Sequence, residues 1–369
     1  MKYLFILGRN IELSKYEILN YFENQGNPVL EHSISKNGML IEIEEGILEN
    51  VIDNFGGVLS IGQVLVSGTI ENLNKKMEDT IIYSGEENKL TYAIWNFSEN
   101  YEKVEDYLKN RFKSEKLKAT LKHLTDKIEL QGGGIANIPS SKLLEEEYFV
   151  FGEDSQEYFG KIIQHCNYEK IEQRDMEKPV RREELAISPR LSKIMINLSL
   201  VKYGPLLDAF CGIGGILFES LLQGVPVIGV DADPDAVEGA MKNLAWGKFK
   251  QKDYQVINNN SKKVRVQEVE VMVGEPDLGR THRRLPLDKM VEDQIREFEF
   301  LIIDVLNNFR DKISGRRVFT APFIRHKKKG KRSGCNIERI CDMTGLKLVS
   351  VTPEYRLGQI IGRQIIVLE

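Results

Sequence analysis

The chain has 369 residues, 41% hydrophobic and 29% charged, and its 51 basic and 55 acidic side chains give a net charge of −4. That balance excludes collagen-like, disordered and uniformly basic proteins, and the length predicts two or three domains at about 150 residues each. Four scattered cysteines (Cys166, Cys211, Cys335, Cys341), none in a C-x-x-C pair, exclude a disulfide framework and argue against a structural zinc.

The opening MKYLFILGRN is too short an apolar run for a secretory segment. The longest apolar stretch, Gly204 to Val230, is broken by Asp208, Glu219 and Gln223. A cytoplasmic protein without a membrane span is expected. Residues 1–68 read as a small α+β unit. A strand over Tyr3 to Leu7 leads to a helix over LSKYEILNYF, with Leu13, Tyr16, Ile18 and Leu19 at roughly helical spacing. Alternation from Met39 to Glu44 predicts a strand with one wet face, ILENVIDNF reads as a helix, and GGVLSIGQVLVSG follows it.

Residues 69–165 are less regular. YAIWNF reads as a strand and VEDYLKNRFKSEKLKA as a helix with a basic face. From Lys109 to Lys127 seven Lys or Arg, Lys113 and Lys116 among them, stand against Glu115 and Asp126. Such a run suits either a solvated helix face or an RNA contact. QGGGIANIPSSK is a glycine-rich loop without the Gly-Lys-Ser/Thr ending of a phosphate loop.

From about Arg174 strands alternate with helices. LSKIMINLSLV, GGILFESLLQ and PDAVEGAMKNL read as helices between the strands GPLLDAF, VPVIGVD and VEVMVGEP. A long helix then places Leu287, Met290, Val291, Gln294, Phe298, Ile302, Val305 and Phe309 near a 3.6 repeat, and RRVFTAPF, LKLVSVTPEY and GRQIIVLE close the chain as strands. This alternation specifies an α/β fold with a largely parallel sheet covered by helices on both faces.

The chemistry concentrates in LLDAFCGIGG, Leu206 to Gly215. An apolar strand ends in Asp208, a glycine turn follows, and a helix begins near Gly215 with free N–H groups. The next strand ends in a second acid, Asp231, placed to accept hydrogen bonds from ribose hydroxyls. Asp208, Phe210, Cys211, Gly212, Gly214, Gly215, Asp231 and Ala232 are the candidate cofactor residues. An acid opening the turn discourages a pyrophosphate and suits a cationic amino-acid moiety, so S-adenosylmethionine fits where NAD fits poorly. Cys211 inside this turn reads as a small packing residue.

LLDAFCGIGGILFESLLQG, preceded by RDMEKPVRREELAISPRLSKIMINLSL, resembles the tRNA guanosine-10 N2-methyltransferase family. The family's usual first motif is D-P-F-C-G-T-G-G, and Ala209 and Ile213 stand at its Pro and Thr positions. FILGRNIELSKYEI resembles the family's N-terminal ferredoxin-like segment. The resemblance implies a Rossmann-like class I methyltransferase domain over 166–369, with 166–188 as linker and lead-in. Ahead of it would come an α+β ferredoxin-like domain over 1–68 and a THUMP-like RNA-binding domain over 69–165. It also implies S-adenosylmethionine as cofactor, tRNA as partner and a monomer. The modified nucleotide, the number of methyls and the need for a small activator subunit stay open.

By the same resemblance Pro189 lies beside the cofactor, and Asn260 stands where an amide can meet the adenine edge or simply cap a polar turn. Methyltransferases acting on exocyclic amines usually carry Asp/Asn-Pro-Pro-Tyr/Phe after the fourth strand. Here that place holds Glu275, Pro276, Asp277 and Leu278. Glu275 can accept amine hydrogens as Asp would, with its extra methylene shifting the reach by about 1.5 Å. Leu278 replaces the stacking aromatic, an interaction worth about 1–3 kcal/mol. The variant resembles a subset of bacterial and archaeal relatives.

From Phe309 to Arg332 ten Lys or Arg face one acid, and His282, Arg283, Arg284 and Lys289 follow the catalytic turn. Loops after parallel strands gather at the carboxyl edge. Arg283, Arg284, Arg325, Lys327, Lys328 and Lys329, with Lys113 and Lys116, are therefore candidate RNA contacts. His282 reads as a further phosphate contact. The histidines show no metal-ligand spacing, so no metal is expected. The leading expectation is a tRNA guanosine N2-methyltransferase. The alternatives are a DNA or other RNA amine methyltransferase using the same site, and a tRNA binder whose E-P-D-L turn has lost chemistry.

Overall fold

The computed structural model describes residues 1–131, 134–138, 144–182, 187–327 and 331–369. The chain divides into two compact units. The first comprises Met1–Lys15, Gln25–Asp53 and Gly57–Cys166, and the second Tyr16–Asn24, Asn54–Gly56 and Asn167–Glu369.

In chain order the first stretch supplies β1 (Lys2–Leu7), α1 (Ile11–Asn24), β2 (Glu31–Ser35), β3 (Gly38–Glu42) and β4 (Val58–Gly68). Then come α2 (Ile70–Glu78), β5 (Lys89–Phe97), α3 (Tyr101–Ser114), β6 (Lys118–Leu121), β7 (Asp126–Glu129), β8 (Ile135–Ile138), β9 (Glu146–Glu153) and β10 (Gln156–His165). Eight strands form one sheet in the order β2-β3-β1-β4-β10-β9-β5-β6, while β7 and β8 pair apart from it. On one side of the first unit, Leu73 and Met77 of α2 and Val104, Leu108 and Phe112 of α3 pack with Tyr92, Tyr148 and Phe159. Leu4, Ile6, Trp95, Phe97, Phe149 and Phe151 form a second cluster.

Two expectations change here. ILENVIDNF forms a single 3₁₀ turn, Val51–Asn54, because Asn50 takes left-handed backbone (φ 59°) ahead of it and Gly56 follows at once. The division expected at residue 68 has no counterpart in the pairing. β4 bonds to β1 on one side and to β10 on the other, so one sheet draws strands from both stretches. The glycine-rich loop falls partly on residues 132, 133 and 139–143, outside the described residues.

The second stretch supplies α4 (Tyr168–Glu177), α5 (Pro189–Leu198), β11 (Leu206–Asp208), α6 (Gly215–Leu222), β12 (Val227–Asp231), α7 (Pro234–Trp246), β13 (Tyr254–Asn258) and β14 (Val271–Gly274). It ends with α8 (Asp288–Asn308), β15 (Arg317–Arg325), β16 (Arg332–Ser333), α9 (Ile337–Thr344), β17 (Leu348–Glu354) and β18 (Ile361–Leu368). The sheet order is β13-β12-β11-β14-β15-β18-β17. The central strands LLD and VMVG are buried throughout, as a parallel sheet covered on both faces requires. The first five strands of that order run parallel, but β18 runs antiparallel to both β15 and β17. The reason is connectivity: the short loop from β17 to β18 can close a hairpin and not a crossover.

Helix α8 begins at Asp288, so its buried stripe starts at Val291 and runs through Gln294, Phe298, Ile302 and Val305. Leu287 and Met290, expected in that stripe, are 60% and 49% exposed. At the amino edge of the sheet the Glu270 carboxylate accepts from three successive amides, Lys202 (2.9 Å), Tyr203 (3.0 Å) and Gly204 (2.7 Å), and so sets the start of β11. Hydrogen bonds to a charged acceptor contribute about 1.5–3 kcal/mol. Glu270→Ala should therefore lower stability by about 2 kcal/mol in urea unfolding while leaving the opposite edge of the sheet intact.

Candidate active site at the carboxyl edge of the second sheet

Strands β11, β12 and β14 run parallel, so Asp208, Asp231 and Glu275 emerge from one edge. Between the first two lies the glycine turn. Gly212 (φ 49°) and Gly214 (φ 85°) take left-handed backbone, which glycine adopts without penalty, and Gly214 caps α6. The Gly212 amide donates to Asp231 Oδ2 at 2.7 Å, and the Asp233 amide donates to Asp231 Oδ1 at 2.9 Å. A Cβ built on Gly212 would meet nothing within 4 Å, so open space lies over the turn.

Asp208 is 1% exposed and accepts from the Phe210 amide at 3.0 Å. Burial pushes its carboxyl up to about 8, with Asp231 and Glu275 adding to the rise and the Phe210 amide opposing it. Gly274 is the residue that lets β14 pass, since a Cβ there would lie 3.1 Å from Asp208 Oδ1. Cys211 is buried, its amide donates to the Val230 carbonyl at 3.0 Å, and burial beside the two acids pushes its thiol up, the behaviour of a packing residue. Phe210 packs half-buried against the core, Ala232 is exposed in the turn after β12, and Gly215 opens α6.

Pro189 is the first residue of α5, where Ser188 Oγ caps the helix by accepting from the Leu191 amide at 3.2 Å. It lines a small cleft with Ile187, Ile213, Gly214 and Gly215, while Arg174 and Glu219 contribute polar atoms. The segment leading to it is held by Asn243, which donates to the Val180 and Ile213 carbonyls and accepts from the Val180 amide, each at 3.0 Å. Residues 183–186 of this segment lie outside the described residues. Asn260 is exposed and its Oδ1 accepts from the Lys262 amide at 2.9 Å, so the structure uses it to cap the turn after β13. Its neighbours approach the second acid: Asn258 Nδ2 and the Asn259 amide both donate to the Asp231 carbonyl at 3.0 Å.

On the other side of β11 the E-P-D-L turn is built from several directions. Glu275, with a side chain 12% exposed, pairs through Oε1 with Arg363 Nε of β18 at 2.5 Å. Asp277 accepts from the Gly279 amide at 2.9 Å. Leu278 packs against the core, so the expected place of a stacking aromatic holds a packing residue. Gln294 of α8, 7% exposed, donates to the Leu278 and Arg280 carbonyls at 2.8 and 3.3 Å, and its Oε1 meets His282 Nε2 at 2.9 Å. The structure therefore engages His282 with Gln294, where a phosphate contact was expected.

The basic loops meet. His326 Nδ1 lies 3.0 Å from Asp288 Oδ1, and the Lys327 amide donates to the Pro286 carbonyl at 3.1 Å, which binds the loop after β15 to the one before α8. Arg283, Arg284 and Lys327 are exposed, Arg325 is half-buried, and Lys328 and Lys329 lie outside the described residues. Lys113 and Lys116 are exposed at the end of α3 in the first unit. Arg332 donates to the carbonyls of Phe323, Gln359 and Ile360, and its guanidinium stacks 4.3 Å from the Tyr355 ring centroid. The sequence pattern assigns no functional role to Arg363, Gln294 or Arg332. The available signals are a cation inside the closing strand GRQIIVLE and a glutamine within the apolar stripe of α8. Among the described residues no group of His, Cys, Asp or Glu is placed to hold a metal ion.

Seven strands in line with β18 antiparallel, the short β16 paired beside β15, and acids at the tips of β11 and β12 define a Rossmann-like α/β fold. TrmN from Thermus thermophilus is similar over 100% of this chain and 99% of its own, at a TM-score of 0.54 and 12% identity. A possible methylase from Clostridium difficile 630 is similar over 99% and 97%, at 0.50 and 13%. No family model matches the chain. Curated relatives named tRNA (guanine(10)-N2)-dimethyltransferase are similar over shorter stretches. The one from Methanothermobacter thermautotrophicus is 43% identical over 96 residues, 26% of this chain and 28% of that protein. The one from Pyrococcus abyssi is 30% identical over 136 residues, 36% and 40%. The alignments thus span less than half the length of these relatives.

The burial of Asp208 has a consequence for stability. A carboxyl raised to about 8 in the folded chain stays protonated where the unfolded chain has ionised, so stability is lost as pH rises from about 4 to about 8. Asp208→Asn, which keeps the acceptor for the Phe210 amide, should gain on the parent by about a few kcal/mol between pH 5 and pH 8 in urea unfolding.

Proposed function

We propose that the chain is an S-adenosylmethionine-dependent methyltransferase acting on the N2 amine of a tRNA guanosine. The observation that supports this most is the set of three acids, Asp208, Asp231 and Glu275, at one sheet edge beside a left-handed glycine turn with open space above it. Such an acceptor set disfavours a pyrophosphate and favours a cationic ligand with ribose hydroxyls, whose charge would draw the proton from Asp208 on binding. Asp231 and the 258–260 segment would hold the adenosine part, and Asp208 with the glycine turn the cationic part. When bound, the cofactor supplies an electrophilic methyl on a sulfonium.

The chain's own residues then have to present the amine. A guanine N2 lone pair is delocalised into the ring, and hydrogen bonds accepted from both amine hydrogens turn it toward the electrophile. The Glu275 carboxylate and the Pro276 carbonyl are the acceptors proposed for this, and Glu275 receives the proton that the amine releases. The loops carrying Arg283, Arg284, Arg325 and Lys327 would neutralise phosphates around the extruded base. Residues 69–165 are proposed as the THUMP-like part of the RNA grip, with Lys113 and Lys116 contributing, and the chain as a cytoplasmic monomer. The choice of tRNA rests on the names of the curated relatives. Among the described residues no helix is long and apolar enough to cross a membrane.

The test is methylation of a tRNA transcript by the purified chain alone, with labelled cofactor and mapping of the modified site. N2-methylguanosine is the expected product, and a chain that binds cofactor yet labels no tRNA would be a binder. Glu275→Ala should lower kcat at least about 100-fold with cofactor affinity near the parent value. Asp231→Ala should instead weaken cofactor binding, measured by calorimetry.

A further inference from the structure

We propose that Arg363 is a positioning residue that aims the Glu275 carboxylate at the substrate amine. This rests on the function proposed above. Glutamate in place of the family's usual aspartate brings an additional rotatable bond, and an acceptor that must meet a particular hydrogen loses effectiveness when its carboxylate can swing. The Arg363 Nε contact to Oε1 at 2.5 Å removes that freedom. A contact through one oxygen leaves Oε2 for the amine.

The anchor is itself rigid. Arg363 sits within β18, its backbone paired to Pro322 of β15 and Glu354 of β17, so its guanidinium projects from the sheet and not from a loop. Partial burial of both partners, 28% and 12% exposed, keeps solvent from screening the pair fully. Its charge also aims the acid. Glu275 has Asp208 on β11 to one side, Asp277 in its own turn and Arg363 on β18 to the other, so Arg363 draws the carboxylate toward β18 and away from Asp208.

The alternative is a latch that only ties the end of β14 to β18. The two roles separate in kinetics. With full-length protein, a tRNA transcript and labelled cofactor, Arg363→Gln should lower kcat about 10–100-fold, with the KM for tRNA and the cofactor Kd within about threefold of the parent. Arg363→Lys should recover much of kcat. In a Glu275→Gln background, Arg363→Gln should cost nothing further. Parent kcat in Arg363→Gln would overturn the assignment. So would equal losses in the Lys and Gln variants together with a lowered Tm, the signature of a latch. If the parent chain binds cofactor but methylates no tRNA, the proposed function fails and takes this assignment with it. An active parent with an indifferent Arg363→Gln removes the assignment alone.

Discussion

The Gly212 amide donates to Asp231 Oδ2 across 2.7 Å, and through that bond the tips of β11 and β12 become one surface. It requires the left-handed turn at Gly212 and Gly214, the parallel pairing of β11 with β12, and an acid as the last residue of β12. Asn258 and Asn259 then close on the Asp231 carbonyl, so a third strand tip joins the same surface. The free energy for this comes from burial behind the edge, where Leu207, Val230 and Met272 lie in a continuous core with the apolar face of α8.

The same arrangement gathers three carboxyl groups. Asp208 is held in a dry environment next to two other acids, and burial first, with the neighbouring acids adding to it, raises its carboxyl. Groups perturbed in this way cluster at functional sites. The charges divide at β11. Toward β12 and β13 lie Asp231 and the amide-rich turn, and toward β14, β15 and β18 lie Glu275, Arg363 and the stacked Arg332 and Tyr355. A proposed cofactor on the first side and a proposed base on the second would meet over Asp208 and Glu275.

Beyond that edge the molecule invests buried polar side chains in holding loops. Gln294 replaces an apolar residue in the stripe of α8 and bonds the turn that follows Glu275. Asn243 does the same from α7 for the segment before α5. Each satisfies backbone groups that would otherwise be buried without partners, and each fixes a loop on a rigid helix, which a loop's own sequence cannot do.

Local sequence determined the parts whose physics is local. Strand, glycine turn, helix and terminal acid at Leu206–Gly215 and Val227–Asp231 follow from hydrophobic runs, from glycine's conformational range and from the strand-end position of charge, and the relatives' names agree with the family those residues resemble. Tertiary structure decided what depends on distant partners. ILENVIDNF carries a helical pattern but is interrupted by left-handed backbone at Asn50, and β18 reverses because a short hairpin leaves it no other direction. Gln294 looks like one polar interruption in an apolar helix until the turn at Leu278 lies against it. Arg363 and Glu275 stand 88 residues apart, and no spacing rule links them. The pairing exists because β15 inserts between β14 and β18 and brings both to one edge.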